Sequence, residues 1–114
     1  MSKARYTGTC HCKKVRFVCE LELKQPMVCN CSYCAIRNVV HHVADNLRIT
    51  SGEGDLSCYR FNTMKGEHYF CRHCGVYIYL IPSEPLFPCC VNLCALDDCD
   101  WRSLPLKVFD GKAI

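Results

Sequence analysis

The chain has 114 residues, half of them hydrophobic and 22% charged, with a net charge of +3. That is the size of one domain, spanning 1–114, with neither the polar excess of a disordered chain nor the clustered basic charge of a nucleic-acid surface. No stretch approaches the roughly 18 consecutive apolar residues of a membrane span, so no membrane partner is expected.

Thirteen cysteines in so short a chain raise the prospect of a secreted disulfide framework. Against it, the opening Met1-Ser2-Lys3-Ala4-Arg5-Tyr6-Thr7-Gly8 lacks the apolar core of a secretion signal, and the cysteine count is odd. The cysteines nearest one another stand in CxC, CxxC and adjacent arrangements, which suit metal ligation or burial better than mutual bridging. A reducing compartment, the cytoplasm, is therefore expected.

In chain order, residues 14–24 alternate, with Val15, Phe17, Cys19, Leu21 and Leu23 on one face and Lys14, Arg16, Val18, Glu20 and Glu22 on the other. This predicts a half-buried strand in which Cys19 is a small buried hydrophobe. Pro26 ends the strand and delivers the chain to Cys29-Asn30-Cys31-Ser32-Tyr33-Cys34. Ala35-Ile36-Arg37 then predicts a helical turn, and the β-branched residues at 39–43 a strand. Turns at Asp45-Asn46 and at 51–55 bracket a short strand at 47–50, and 56–61 is a further strand before a polar turn at 65–67. Residues 68–71 and 76–81 predict a hairpin with Cys71-Arg72-His73-Cys74 at its tip. Pro82, Pro85 and Pro88 mark a loop, 90–96 a strand, Asp97-Asp98 a turn and 106–109 a last strand. The expected fold class is all-β, built of short antiparallel strands with little helix.

The cysteine motifs carry the chemistry. If Cys10 and Cys12 lie on a strand, residues two apart share a face and reach one metal from one edge. A CxxC turn converges its two sulfurs, and the following Gly75 accepts the left-handed conformation such a turn needs. Cys10, Cys12, Cys71 and Cys74 thus make a tetrahedral set for a closed, structural Zn2+. Cys29, Cys31 and Cys34 remain, three sulfurs with a position to spare, as catalytic zinc sites have. Three thiolates leave the metal a weak Lewis acid, suited to holding an exogenous thiol as thiolate for attack on a small carbonyl. Alternatively His11, His41, His42 or His73 supplies a fourth ligand and the second site is structural too, or the trio holds no metal. A zinc ribbon does not fit: its two CxxC turns stand roughly 15 to 20 residues apart, whereas Cys34 and Cys71 are much further separated.

In sequence order, the segments Gly8-Thr-Cys-His-Cys-Lys-Lys-Val15, Cys29 to Cys34, Tyr69-Phe-Cys-Arg-His-Cys-Gly75 and Asn92 to Asp98 resemble the glutathione-dependent formaldehyde-activating enzyme family, which also includes centromere protein V. The resemblance covers nearly the whole chain. It implies an Mss4-like zinc-binding β fold, a structural zinc on Cys10, Cys12, Cys71 and Cys74, and a catalytic zinc on Cys29, Cys31 and Cys34. It also implies carbon–sulfur lyase chemistry, the reversible joining of glutathione and formaldehyde, with a glutathione-like thiol and an aldehyde as the small-molecule partners. The alternative is a non-catalytic zinc-binding β domain that binds a protein partner.

Glutathione carries two carboxylates, so cationic or amide donors are expected near the open site. Arg37 is the candidate nearest in sequence for this cofactor-binding role, with Arg60, Asn62, Thr63 and Arg72 behind it, each set against an ordinary solvated role. Of His41-His42, one imidazole faces inward for proton transfer or plain packing, since adjacent strand residues face opposite ways. Cys58, Cys89, Cys90, Cys94 and Cys99 match no motif; those on strands are expected to be buried free thiols. Asp97 and Asp98 are read as turn or cap residues.

Overall fold

The computed structural model describes residues 3–60, 66–82 and 88–110. Its strands run β1 Ala4–Thr9, β2 Arg16–Leu21, β3 Met27–Cys29, β4 His41–Ser51, β5 Leu56–Tyr59, β6 Glu67–Cys71, β7 Tyr77–Ile81, β8 Cys89–Asn92 and β9 Lys107–Phe109, with one short helix, α1, over Ser32–Arg37. They form a mostly antiparallel sheet in the order β1-β2-β4-β8-β7-β6-β5, with β3 pairing both β4 and β9. The core is filled by Val15, Phe17, Leu21, Ile78, Val91 and Leu93, each no more than 2% exposed. Cys19 is buried among them, as its register predicted.

β4 decides the architecture. The expected turn at Asp45-Asn46 does not form; one strand runs through it from His41 to Ser51. Its first four residues pair with β8 and its later ones with β2, so the strand passes from one half of the sheet to the other. Asn46 takes the left-handed conformation (φ 51°), and its amide donates to Glu20 Oε1 at 2.7 Å. Its turn-forming chemistry is therefore spent on a bulge opposite β2, where the register shifts between Val18 and Glu20. That shift also breaks the expected alternation: Val18, assigned to the polar face, is buried beside Phe17 and Cys19.

Other differences have equally local causes. β1 was not expected, because Arg5, Thr7 and Thr9 give it no apolar face; it exists through six paired residues with β2. β3 follows Pro26, whose carbonyl accepts from Lys107 N at 2.9 Å, and is held by parallel pairing with β9. Helix α1 begins three residues before the expected turn, because Cys31 caps it. β8 stops at Asn92 rather than continuing to 96, since the Asn92 side chain accepts from Cys94 N at 3.1 Å and starts a 3-10 turn.

The hairpin β6–β7 with the CxxC tip, the 51–55 turn and the Asp98 turn (φ 50°) are as expected. Asp97 ties that turn to β1, accepting from Thr7 Oγ1 at 3.0 Å. Phe61, Asn62, Thr63, Lys65, Pro85 and Gly111 lie outside the described residues. All thirteen cysteines are free thiols. Cys89 and Cys90 are buried, but Cys58 is exposed, because β5 is the edge of the sheet path; Cys94 is exposed on the 3-10 turn.

Candidate metal centres and active site

Two sulfur clusters form, and their membership is the one the spacing predicted. The sulfurs of Cys10, Cys12, Cys71 and Cys74 lie within 4.8 Å of one another, and so do those of Cys29, Cys31 and Cys34. Two sulfurs bound to one tetrahedral zinc at about 2.3 Å each stand roughly 3.8 Å apart. Two pairs of the first cluster, Cys10–Cys12 at 3.5 Å and Cys12–Cys71 at 3.6 Å, are of that order.

The first cluster joins two turns. Contrary to the expectation of a strand, Cys10 and Cys12 lie in the turn that follows β1. The reversal is tight: Cys10 N donates to Val15 O at 3.1 Å, Lys13 N to Cys10 O at 3.2 Å, and Lys13 takes the left-handed conformation (φ 69°). The geometry also turns Val15 N toward Cys10 Sγ, at 3.4 Å. Cys71, Cys74 and Gly75 repeat the device at the hairpin tip, with Gly75 N donating to Cys71 O at 2.8 Å and Gly75 left-handed (φ 80°). Burial alone would push the Cys74 thiol up, but backbone N–H groups of Cys12 and Val76 and the neighbouring thiols bring it down to about 6. A sulfur held as thiolate by backbone donors is a ready ligand for a divalent cation.

The second cluster is built on the end of β3 and the start of α1. Asn30 is pinned to the last strand, its N donating to Phe109 O at 3.1 Å and its side chain to Asp110 Oδ1 at 3.0 Å. Cys31 caps the helix, its sulfur accepting from Cys34 N at 3.3 Å, and one turn of α1 brings the buried Cys34 back over the pair. The Cys34 thiol is held far above its ordinary value, first by its hydrogen bond with the Cys29 thiol, then by burial and by Cys31. Three sulfurs this close do not ionise together unaided, and a bound cation removes that penalty. The donor set fits zinc at both places.

No histidine nitrogen joins either sulfur group among the described residues. His42 is engaged elsewhere, its Nε2 accepting from Lys24 N and Gln25 N at 3.2 Å each. His73 pairs with Asp55 at 2.7 Å, and His11 is exposed on the first turn. His41 does turn inward, 3% exposed, with neither ring nitrogen hydrogen-bonded.

An aromatic wall that the sequence reading missed stands next to the trio. Tyr33, inside the CxCxxC motif, packs on His68 at 4.5 Å, on Tyr59 at 5.0 Å and on Tyr77 at 6.4 Å between ring centroids. Tyr77 shares a 2.7 Å hydrogen bond with His68 Nδ1 and meets the His41 ring edge-on at 5.6 Å. Its hydroxyl is held far above its ordinary value, by burial first and then by neighbours that include Cys34 and Cys31. The sequence marked Tyr77 only as part of a hairpin strand. Tyr33 alone carried a usable signal, its place between two ligand cysteines.

Arg37 is engaged by neighbouring groups: its Nη2 donates to the Gly75 carbonyl, and its guanidinium lies over Phe70 at 5.4 Å and Tyr77 at 5.8 Å. Arg60 pairs with Glu67 at 3.0 Å, and Arg72 belongs to the first cluster's turn, its N donating to Asp55 O. A shallow hollow of about 600 Å³, with Arg48, Glu53 and Tyr79 in its wall, shares no residue with either cluster. No helix of the described residues is long and apolar enough to cross a membrane.

Comparison with known proteins agrees with the fold. A crystal structure of a Rhodobacter sphaeroides protein is similar with a TM-score of 0.78 and 31% sequence identity, over 89% of this chain and 99% of that one. The family model of the glutathione-dependent formaldehyde-activating enzyme matches residues 5–108, so the chain belongs to that family.

Proposed function

We propose that the chain is a zinc-dependent carbon–sulfur lyase that joins or cleaves glutathione and formaldehyde, or a related small aldehyde, at Cys29, Cys31 and Cys34. The observation that carries this reading is the division of seven clustered sulfurs into four and three. Cys10, Cys12, Cys71 and Cys74 would hold a structural zinc; the trio would hold the catalytic one. When bound there, zinc supplies a coordination position at which a thiol is stabilised as the nucleophilic thiolate.

The protein's own groups do the rest. Tyr33, Tyr77 and His68 give the trio a largely apolar flank, which strengthens electrostatic contacts beside it. Arg37 contributes positive charge toward an anionic tripeptide such as glutathione, one of its donors being committed to Gly75. A cytoplasmic location belongs to this reading, since ligand thiols need reducing surroundings.

The test mixes zinc-loaded protein with glutathione and formaldehyde and follows adduct formation. A rate well above the spontaneous one is expected; no acceleration across several thiols and aldehydes would remove the enzyme reading.

A further inference from the structure

Among the described residues, the buried side-chain nitrogens and oxygens without hydrogen-bond partners are confined to one place. They are His41 Nδ1, His41 Nε2 and Arg37 Nε. Both residues pack on Tyr77, His41 against its edge at 5.6 Å and Arg37 over its face at 5.8 Å. Folded proteins pair the large majority of such groups, so these exceptions call for an explanation, a binding or catalytic role among them.

The strand register relates His41 to the trio. His41 of β4 stands directly opposite Met27 of β3, so the two side chains share a face of the sheet. Cys29 lies two residues beyond Met27 on the same strand and therefore shares that face. His41 thus lies across the strand pair on the face that Cys29 shares. The Tyr77 hydroxyl beside it is engaged with His68, and His41 has no hydrogen-bond partner at either ring nitrogen. Burial, followed by the nearby His68, lowers His41 to about 4, so the ring is neutral at pH 7 and carries one N–H.

On the reading of the trio given above, we propose that His41 binds the aldehyde oxygen, its ring N–H donating a hydrogen bond as charge develops there. The step balances simply. The glutathione thiol gives its proton to water; its sulfur then forms a bond to the carbonyl carbon. The C=O π pair becomes a lone pair on oxygen, stabilised by the His41 N–H, and that oxygen takes a proton from water to give the S-hydroxymethyl product. Hydrogen-bond donation to an oxygen that gains charge acts on the chemical step more than on thiol binding.

The experiment compares unmodified protein, His41→Phe and His41→Gln, all zinc-loaded, in adduct formation from glutathione and formaldehyde. Metal content per chain is measured on each, and the ring 15N shifts of His41 are followed in the unmodified protein. His41→Phe is expected to lower kcat on the order of 100-fold, with little change in the KM for glutathione and no loss of zinc, and His41→Gln to recover part of the rate through its amide donor. The His41 ring nitrogens shift when glutathione and formaldehyde are both present, but not with glutathione alone. Full activity in His41→Phe, or unmoved ring nitrogens, overturns the assignment and leaves the enzyme reading standing. Loss of one zinc per chain in His41→Phe overturns it in favour of a metal ligand. If the unmodified protein gives no acceleration at all, the enzyme reading fails and this assignment fails with it.

Discussion

The Nη2 of Arg37 donates to the backbone carbonyl of Gly75, linking the residue three past Cys34 to the residue that follows Cys74. One cluster's helix is thereby tied to the other cluster's turn. The guanidinium is held over Phe70 and Tyr77 at the same time, so the link is packed on two aromatic rings. Arg37→Met is expected to cost about 1–3 kcal/mol by leaving the carbonyl unpaired and to weaken metal retention at Cys29, Cys31 and Cys34. Arg37→Lys keeps the charge without the planar fork and should recover little. Denaturant unfolding and competition with a chromophoric chelator measure the two effects; unchanged metal retention would show that the link does not couple the sites.

On the proposed reading Cys31 is both metal ligand and helix cap, and one substitution separates the two roles. Serine is a good N-cap, so Cys31→Ser keeps an acceptor for Cys34 N while removing a sulfur. A folded protein with one metal fewer per chain and adduct formation at the spontaneous rate is expected. Cys71→Ser should behave differently. Cys71 is fully buried in the four-sulfur cluster, where a bound structural metal would contribute on the order of 10 kcal/mol to folding. Circular dichroism and metal analysis distinguish the two; equal loss of fold in both would contradict the division into a staple and a working site.

Gly52 (φ 81°) supports the first cluster from outside. A Cβ there would lie 2.1 Å from the carbonyl oxygen of Lys14, on the turn that carries Cys10 and Cys12. Gly52→Ala therefore combines left-handed strain with a backbone clash and should destabilise the protein by about 2–4 kcal/mol. Thermal unfolding of the metal-loaded protein checks this, and a Tm within a degree of the unmodified protein would contradict the close approach.

Acid should destabilise the fold through its buried histidines. Burial lowers His41 and His68 from the ordinary 6.5 to about 4, and burial also lowers His42. Below 6.5 the unfolded chain binds protons that the folded chain refuses. Stability is thus complete above about pH 6.5 and lost as the pH falls toward 4, on the order of 3 kcal/mol for His41. His42→Leu removes the acceptor for Lys24 N and Gln25 N, so it should lower stability at pH 7.5 and flatten the fall between pH 6.5 and 4.5. Urea unfolding at the two pH values provides the comparison; an unaltered slope would show that His42 titrates alike in both states.

Much of the candidate site was legible because ligand cysteines are declared by short-range spacing. Within CxC, CxxC and CxCxxC the chain has little freedom to keep the sulfurs apart, so membership of the two clusters could be read without knowing what lies between them. The hairpin holding Cys71 and Cys74 was equally local. β4 was not: Asp45-Asn46 is turn chemistry in isolation, and only pairing with β2 on one side and β8 on the other makes it a bulge within a strand. β1 and β3 likewise have no apolar pattern of their own and owe their conformation to their partners.

By itself the sequence determined the all-β class, the four-and-three division of the sulfurs and the family. These rest on residue identity and local spacing, which act within a few bonds. Only the tertiary structure decided which side chains surround the open trio. Strand pairing places His41 on the face of Cys29, the packing of β6 and β7 brings His68 and Tyr77 to Tyr33, and Arg37 is drawn to Gly75 across 38 positions of chain. Such neighbours are chosen by long-range packing, and nothing in their own stretch of sequence encodes them.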